Sequence, residues 1–125
     1  MILDTNALSA FVDGAPGLAP LVQKADELAI PVVVLGEYRF GVLQSRRRLE
    51  CERWLQEHLS AHQILAVSEA TTFYYADLRV ELKRAGTPIP SNDVWIAALS
   101  RQHRMPVLSR DRHFDSVAGL RRVRW

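Results

Sequence analysis

Four acidic residues, each set against an apolar run, pose the chemical question of this sequence: Asp4 in "MILDTN", Glu37 in "LGEYRFG", Asp93 in "PSNDVWIAA" and Asp111 in "PVLSRDRHF". A charge beside a core element is costly unless something pairs with it. No lysine or arginine adjoins Asp4 or Asp93 in sequence, so their partners must come from elsewhere in the fold or from a bound cation.

The elements that must position these acids follow from the hydrophobic spacing. "MILD" reads as a buried strand, followed by a helix from about Asn6 and another over 18–28; "PVVV" reads as the next strand. Leu35, Tyr38, Val42 and Leu43 fall at helical spacing, and Cys51, Trp54, Leu55, His58 and Leu59 form a second stripe, giving a helical pair. "ILAVS" reads as a strand ending at Ser68, which can cap a helix carrying Ala70, Tyr74, Leu78 and Leu82, with Gly86 ending it. A helix from Asp93 to about His103, a strand "PVLSR" and an edge strand "LRRVRW" with its arginines turned outward complete the chain. Strands alternating with helices predict an α/β fold, a mostly parallel central sheet flanked by helices on both faces.

On that scaffold Asp4 and Asp111 lie at the carboxyl ends of two strands, the rim where open α/β sheets bind ligands. Glu37 and Asp93 lie near helix starts, where the helix dipole favours negative charge. Four carboxylates from four distant segments would then share one crevice and repel one another unless a cation sits between them. Oxygen ligands select a hard cation, Mg²⁺ or Mn²⁺, and no Cys/His cluster with zinc spacing competes. The four histidines, His58, His62, His103 and His113, are scattered and read as surface or partner-bound residues. GxSxG, Walker A and GxGxxG motifs are absent, and Cys51, on a helix stripe beside Trp54, reads as an inert core thiol.

Composition bounds the class. With 125 residues, 48% of them hydrophobic, the chain suits one domain, 1–125, with one core. Its apolar runs are far shorter than the ~20 residues of a membrane helix. The start of the chain shows no export signal and Cys51 has no partner for a disulfide, which points to a reducing cytoplasm. The net charge of +2 conceals an asymmetry: residues 101–125 carry seven arginines against Asp111 and Asp115, a net +5, leaving −3 on the first hundred. Such a basic end suits a polyanion.

"LDTN", "LGEYRFG", "PSNDVWIAA" and "PVLSRDRHFDSVAGL" together resemble the motifs of PIN-domain ribonucleases, specifically VapC-type toxins of bacterial toxin–antitoxin pairs. The resemblance spans nearly the whole chain, is strongest from Gly86 to Trp125, and is weakest over 13–30 and 45–63. Val34 stands where the family often has a hydroxyl residue, and Ser109 where threonine is common. The resemblance implies a single PIN-like domain and a metal-dependent endoribonuclease, usually a homodimer, silenced by a cognate antitoxin.

In that reading Asp4 and Asp93 are the principal metal ligands, Glu37 and Asp111 complete the cage directly or through water, and water activated by the metal attacks the RNA phosphodiester. Thr5 and Asn6 orient Asp4 or a phosphate, or simply cap the following helix; Arg110 and Arg112 flank Asp111 and can hold the RNA backbone. Asp111 is preferred to Asp115 as fourth acid because Phe114 is expected to anchor the turn and leave Asp115 nearer solvent. Some of Tyr38, Phe40, Trp54, Phe73, Tyr74 and Tyr75 are candidates for a dimer or antitoxin surface. Two other classes keep the acidic pocket: a non-catalytic metal- or nucleic-acid-binding regulatory module, and another phosphoryl-transfer hydrolase. Against the latter, Asn6 replaces the second Asp of a DxD pattern, and Lys83 is the last lysine, too early for a receiver-like site.

Overall fold

A computed structural model describes residues 1–125. The elements run β1 (Ile2–Leu3), α1 (Thr5–Val12), α2 (Ala19–Lys24), β2 (Ala29–Pro31), α3 (Val32–Leu43), α4 (Arg48–His58), β3 (Gln63–Leu65), α5 (Glu69–Arg84), α6 (Ser91–His103), β4 (Val107–Leu108) and β5 (Arg122–Val123), with short 3₁₀ turns at Leu59–Ala61 and Arg112–Ser116. The strands form one sheet in the order β3-β2-β1-β4-β5, every pairing parallel. Successive strand residues point to opposite faces, yet Ile2, Leu3, Ala29, Ile30, Val107 and Leu108 are all fully buried, so both faces of the sheet are covered. No helix is long and apolar enough to cross a membrane.

Local chemistry sets the helix boundaries. Asp4 caps α1 by accepting the Thr5 N–H. Ser68 and Thr71 form a reciprocal capping box at the start of α5, and Gly86, at φ 70°, ends that helix in the left-handed conformation that costs glycine least. Helix α6 passes through the core with Val94 and Ile96 to Ser100 buried, and its first turn carries Asp93. Helices α5 and α6 pack on each other, α6 also meets α3, and α3 packs on α1.

Several features differ from the sequence expectation, among them the end of β3 at Leu65 rather than Ser68. "PVVV" is not a strand: Pro31 ends β2 and is the N-cap of α3, so the valines form that helix's first turn. Valine's strand preference reflects packing on a half-buried pleated surface rather than a backbone rule, and a proline is at home at a helix start. Glu37 consequently lies in the second turn of α3, where the helix dipole does little for it. Helix α2 stops at Lys24 because Ala25 turns to extended backbone and Leu28 already leads into β2. In the edge strand β5, Arg122 does not face outward: its side chain is only 6% exposed and pairs with Asp115 at 2.7 Å. Tyr38 is buried, whereas Phe40 on α3 and Phe73 on α5 are 65% and 68% exposed.

Candidate metal centre

The register of the sheet builds one side of the site. Leu3 pairs with Leu108, so Asp4 and Ser109 leave adjacent strands together, and the Asp4 N–H reaches the Leu108 carbonyl at 3.1 Å. Asp4 is 4% exposed. Its Oδ1 accepts the Thr5 N–H at 2.7 Å, and its Oδ2 accepts from Ser109 Oγ at 2.6 Å and Asn6 Nδ2 at 2.9 Å. Asn6 also takes the Arg110 N–H on its Oδ1 at 3.1 Å, and Ser109 Oγ takes the Asp111 N–H at 2.9 Å. The Asp111 loop is therefore hung from the same residues that hold Asp4. Thr5 Oγ1 donates instead to Glu37 Oε2 at 2.6 Å.

Helices α3 and α6 supply the other side. Glu37 accepts from Thr5 on one oxygen and from Asn92 Nδ2 on the other. Asp93, with its side chain 14% exposed, meets His113 Nδ1 at 2.8 Å, and the same nitrogen stands 3.1 Å from Asp111 Oδ1. Asp4, Glu37, Asp93 and Asp111 thus line a single cleft of about 640 Å³ together with Thr5, Asn92 and His113.

Asn92 and His113 were not anticipated as site residues. His113 is exposed and bound to an acidic partner, within the expectation for the histidines, but its place in the cleft was not foreseen: the turn pinned by the fully buried Phe114 brings its ring to Asp93 and Asp111. Its signal in the sequence was its place two residues after Asp111. That of Asn92 was its adjacency to Asp93. Arg122 was also missed; besides pairing Asp115, its guanidinium donates to the Ser109 carbonyl at 3.2 Å and braces the end of β4. Asp115 is half exposed and held by Arg122. The Arg110 guanidinium lies 4.5 Å from the Trp125 ring centroid, on that ring rather than on an acid of the site, and Arg112 is exposed.

The electrostatics match the geometry. Burial pushes the Asp4 carboxyl above the ordinary range, against the hydrogen bonds from Ser109 and Thr5, and the charges of Asp111 and Glu37 push it further. Burial likewise raises Asp93, opposed by its hydrogen bond with His113 and reinforced by Asp4 and Asp111. His113 is raised in turn, chiefly by that hydrogen bond and then by the charge of Asp111. Two carboxylates that resist ionising side by side, with oxygen atoms facing one cleft, make a donor set suited to a hard divalent cation. Asp93, Asp111 and His113 offer ligand atoms within 4.8 Å of one another.

Comparison with known proteins sets this site in a family. The family model of the PIN domain matches residues 1–120. The chain is 35% identical over 101 residues to Ribonuclease VapC2 of Rickettsia felis, covering 78% of this chain and 75% of that protein. It is 30% identical to Ribonuclease VapC5 of Mycobacterium tuberculosis, covering 98% and 90%. Among solved structures, VapBC2 from Rickettsia felis bound to a DNA fragment from the promoter superposes with a TM-score of 0.85 at 28% identity, covering 99% of this chain and 97% of that one. VapBC-5 from Mycobacterium tuberculosis, a toxin-antitoxin system, gives 0.78 at 28% with the same coverage. With a domain model spanning nearly its full length and relatives at this level of identity along most of it, the chain belongs to the PIN-domain family.

Proposed function

We propose that this chain, a single PIN domain over 1–125, is a divalent-metal-dependent endoribonuclease and the toxin of a toxin–antitoxin pair, acting in the cytoplasm. The observation that carries the chemistry is the meeting of Asp4, Glu37, Asp93 and Asp111, from four separate segments, in one polar cleft. The relatives named ribonucleases support RNA as the substrate, and the VapBC complexes support an antitoxin as partner.

Asp4 and Asp93 are the principal ligands for Mg²⁺ or Mn²⁺, with Glu37 and Asp111 beside them. The bound cation supplies a water of lowered pKa and positive charge for the oxygens of the phosphodiester. Ser109, Asn6 and the Thr5 N–H fix the Asp4 carboxylate, so its oxygens need no reordering when the ligand arrives. Thr5 and Asn92 hold Glu37 from both sides. The exposed arginines of the C-terminal quarter, Arg112 among them, favour the RNA backbone. Phe40 and Phe73 offer apolar surface on α3 and α5 that a second copy of the chain or the antitoxin would cover.

The test is cleavage of a structured RNA by the purified chain with Mg²⁺ or Mn²⁺, with chelator, and with Asp93→Asn. Cleavage that requires both the metal and Asp93 supports the reading. Metal-dependent RNA binding without cleavage favours the regulatory module instead.

A further inference from the structure

We propose that His113 Nδ1 is itself a ligand of the cation, beside Asp93 and Asp111, and that this nitrogen makes the chain favour Mn²⁺ over Mg²⁺. The inference rests on the metal-nuclease reading above and goes beyond its all-carboxylate cage. His113 Nδ1 stands 2.8 Å from Asp93 Oδ2 and 3.1 Å from Asp111 Oδ1. Adjacent ligands of an octahedral cation with bonds of about 2.1 Å stand about 3.0 Å apart, so His113 Nδ1 already stands from each of the two acids at that spacing, and all three residues offer ligand atoms within 4.8 Å of one another.

The ring is delivered by the backbone. The His113 N–H donates to Asp111 Oδ1 at 2.9 Å, and the next residue, Phe114, is fully buried and anchors the turn. The side chain is 47% exposed, which leaves the outer edge of the ring to solvent while Nδ1 faces the acids. Mg²⁺ gives up its waters reluctantly and takes oxygen ligands in a strict octahedron, whereas Mn²⁺, at the start of the divalent transition-metal series, accepts one nitrogen among carboxylates at less cost, so the ring tips the preference toward Mn²⁺. The other histidines lie elsewhere: His58 and His62 stack with Trp54, and His103 ends α6.

The full-length chain loaded with Mn²⁺ is examined by pulsed electron paramagnetic resonance, which detects ¹⁴N bound directly to the ion, and Mn²⁺ and Mg²⁺ affinities are measured by calorimetry. The expected result is an imidazole nitrogen signal in the parent that disappears in His113→Gln. That variant should bind Mn²⁺ roughly tenfold more weakly, by the usual effect of losing a metal-site group, and lose less of its Mg²⁺ affinity. A parent whose bound Mn²⁺ shows no nitrogen signal, or a signal unchanged in His113→Gln, overturns the proposal and leaves His113 as a hydrogen-bond partner of Asp93. The parent spectrum alone decides this should the variant fold poorly. Absence of any Mn²⁺ binding that depends on Asp93 would instead overturn the metal-nuclease reading itself.

Discussion

Ser109 donates its hydroxyl hydrogen to the buried Oδ2 of Asp4 at 2.6 Å, joining residues that lie 105 apart in sequence. The same hydroxyl oxygen receives the Asp111 N–H, so one small side chain fixes the position of two acids. Ser109→Ala should lower metal affinity and cleavage by about tenfold to a hundredfold, the usual cost of losing a group that orients a ligand. Ser109→Thr keeps the hydroxyl and should retain most of the activity. Equal losses in both variants would show that the hydroxyl is not what matters.

Asp4→Asn and Asp93→Asn should abolish cleavage while the metal-free proteins melt at or above the parent at pH 7.5. The sign follows from the raised carboxyls of Asp4 and Asp93. An acid whose folded pKa lies above its unfolded value supports the fold fully below the unfolded pKa, about 3.9 for Asp, and loses that support as pH rises through the folded pKa. At neutral pH the ionised pair therefore weighs against the metal-free fold, and Asn removes that load. Saturating Mn²⁺ should reverse the order by raising the melting temperature of the parent far more than that of Asp93→Asn. A metal-free Asp93→Asn protein that melts well below the parent would contradict the argument.

His113 gives a second pH signature. Its raised pKa means that its contribution to the metal-free fold is complete below about pH 6.5 and fades as pH rises through the raised value. The melting-temperature difference between parent and His113→Gln, measured without metal, should be larger at pH 5.5 than at pH 9. Asp93 is held down by the same hydrogen bond that raises His113, so the difference reports the His113–Asp93 pair as a unit. A difference that grows toward alkaline pH would be the wrong sign.

Asp111 and Asp115 flank Phe114 but have different surroundings. Asp111 faces the cleft and contacts His113, whereas Asp115 is half exposed and bound to Arg122. Asp111→Asn should slow metal-saturated cleavage by at least about tenfold, about 1.4 kcal/mol of transition-state stabilisation. Asp115→Asn should stay within a few-fold, with a small loss of stability through Arg122, which braces the Ser109 carbonyl. The reverse ranking in a cleavage assay would move the site to the other side of Phe114.

What the sequence could reveal depended on whether position followed from local pattern. Asp4 and Asp111 were legible at one rim because Asp4 directly follows β1 and Asp111 comes three residues beyond the end of β4, and parallel strands end on the same side. Asp93 was legible as a first-turn acid before an apolar run. The start of α3 was not, because "VVV" suits strand and helix alike and only the pairing of Pro31 with Leu65 shows where β2 stops. Asn92, His113 and Arg122 escaped for a different reason. Their roles come from contacts across 55, 20 and 13 residues of chain, which no spacing within one element encodes.

The central claim, that these acids form the centre of a metal-dependent ribonuclease, is tested most directly by single-turnover cleavage of RNA across a Mn²⁺ or Mg²⁺ titration, comparing the parent with folded Asp93→Asn. Cleavage should be absent with chelator, rise to saturation with metal in the parent, and stay at background in Asp93→Asn at every metal concentration. Cleavage by the parent in chelator, or saturating cleavage by Asp93→Asn at the parent's metal concentration, would contradict it.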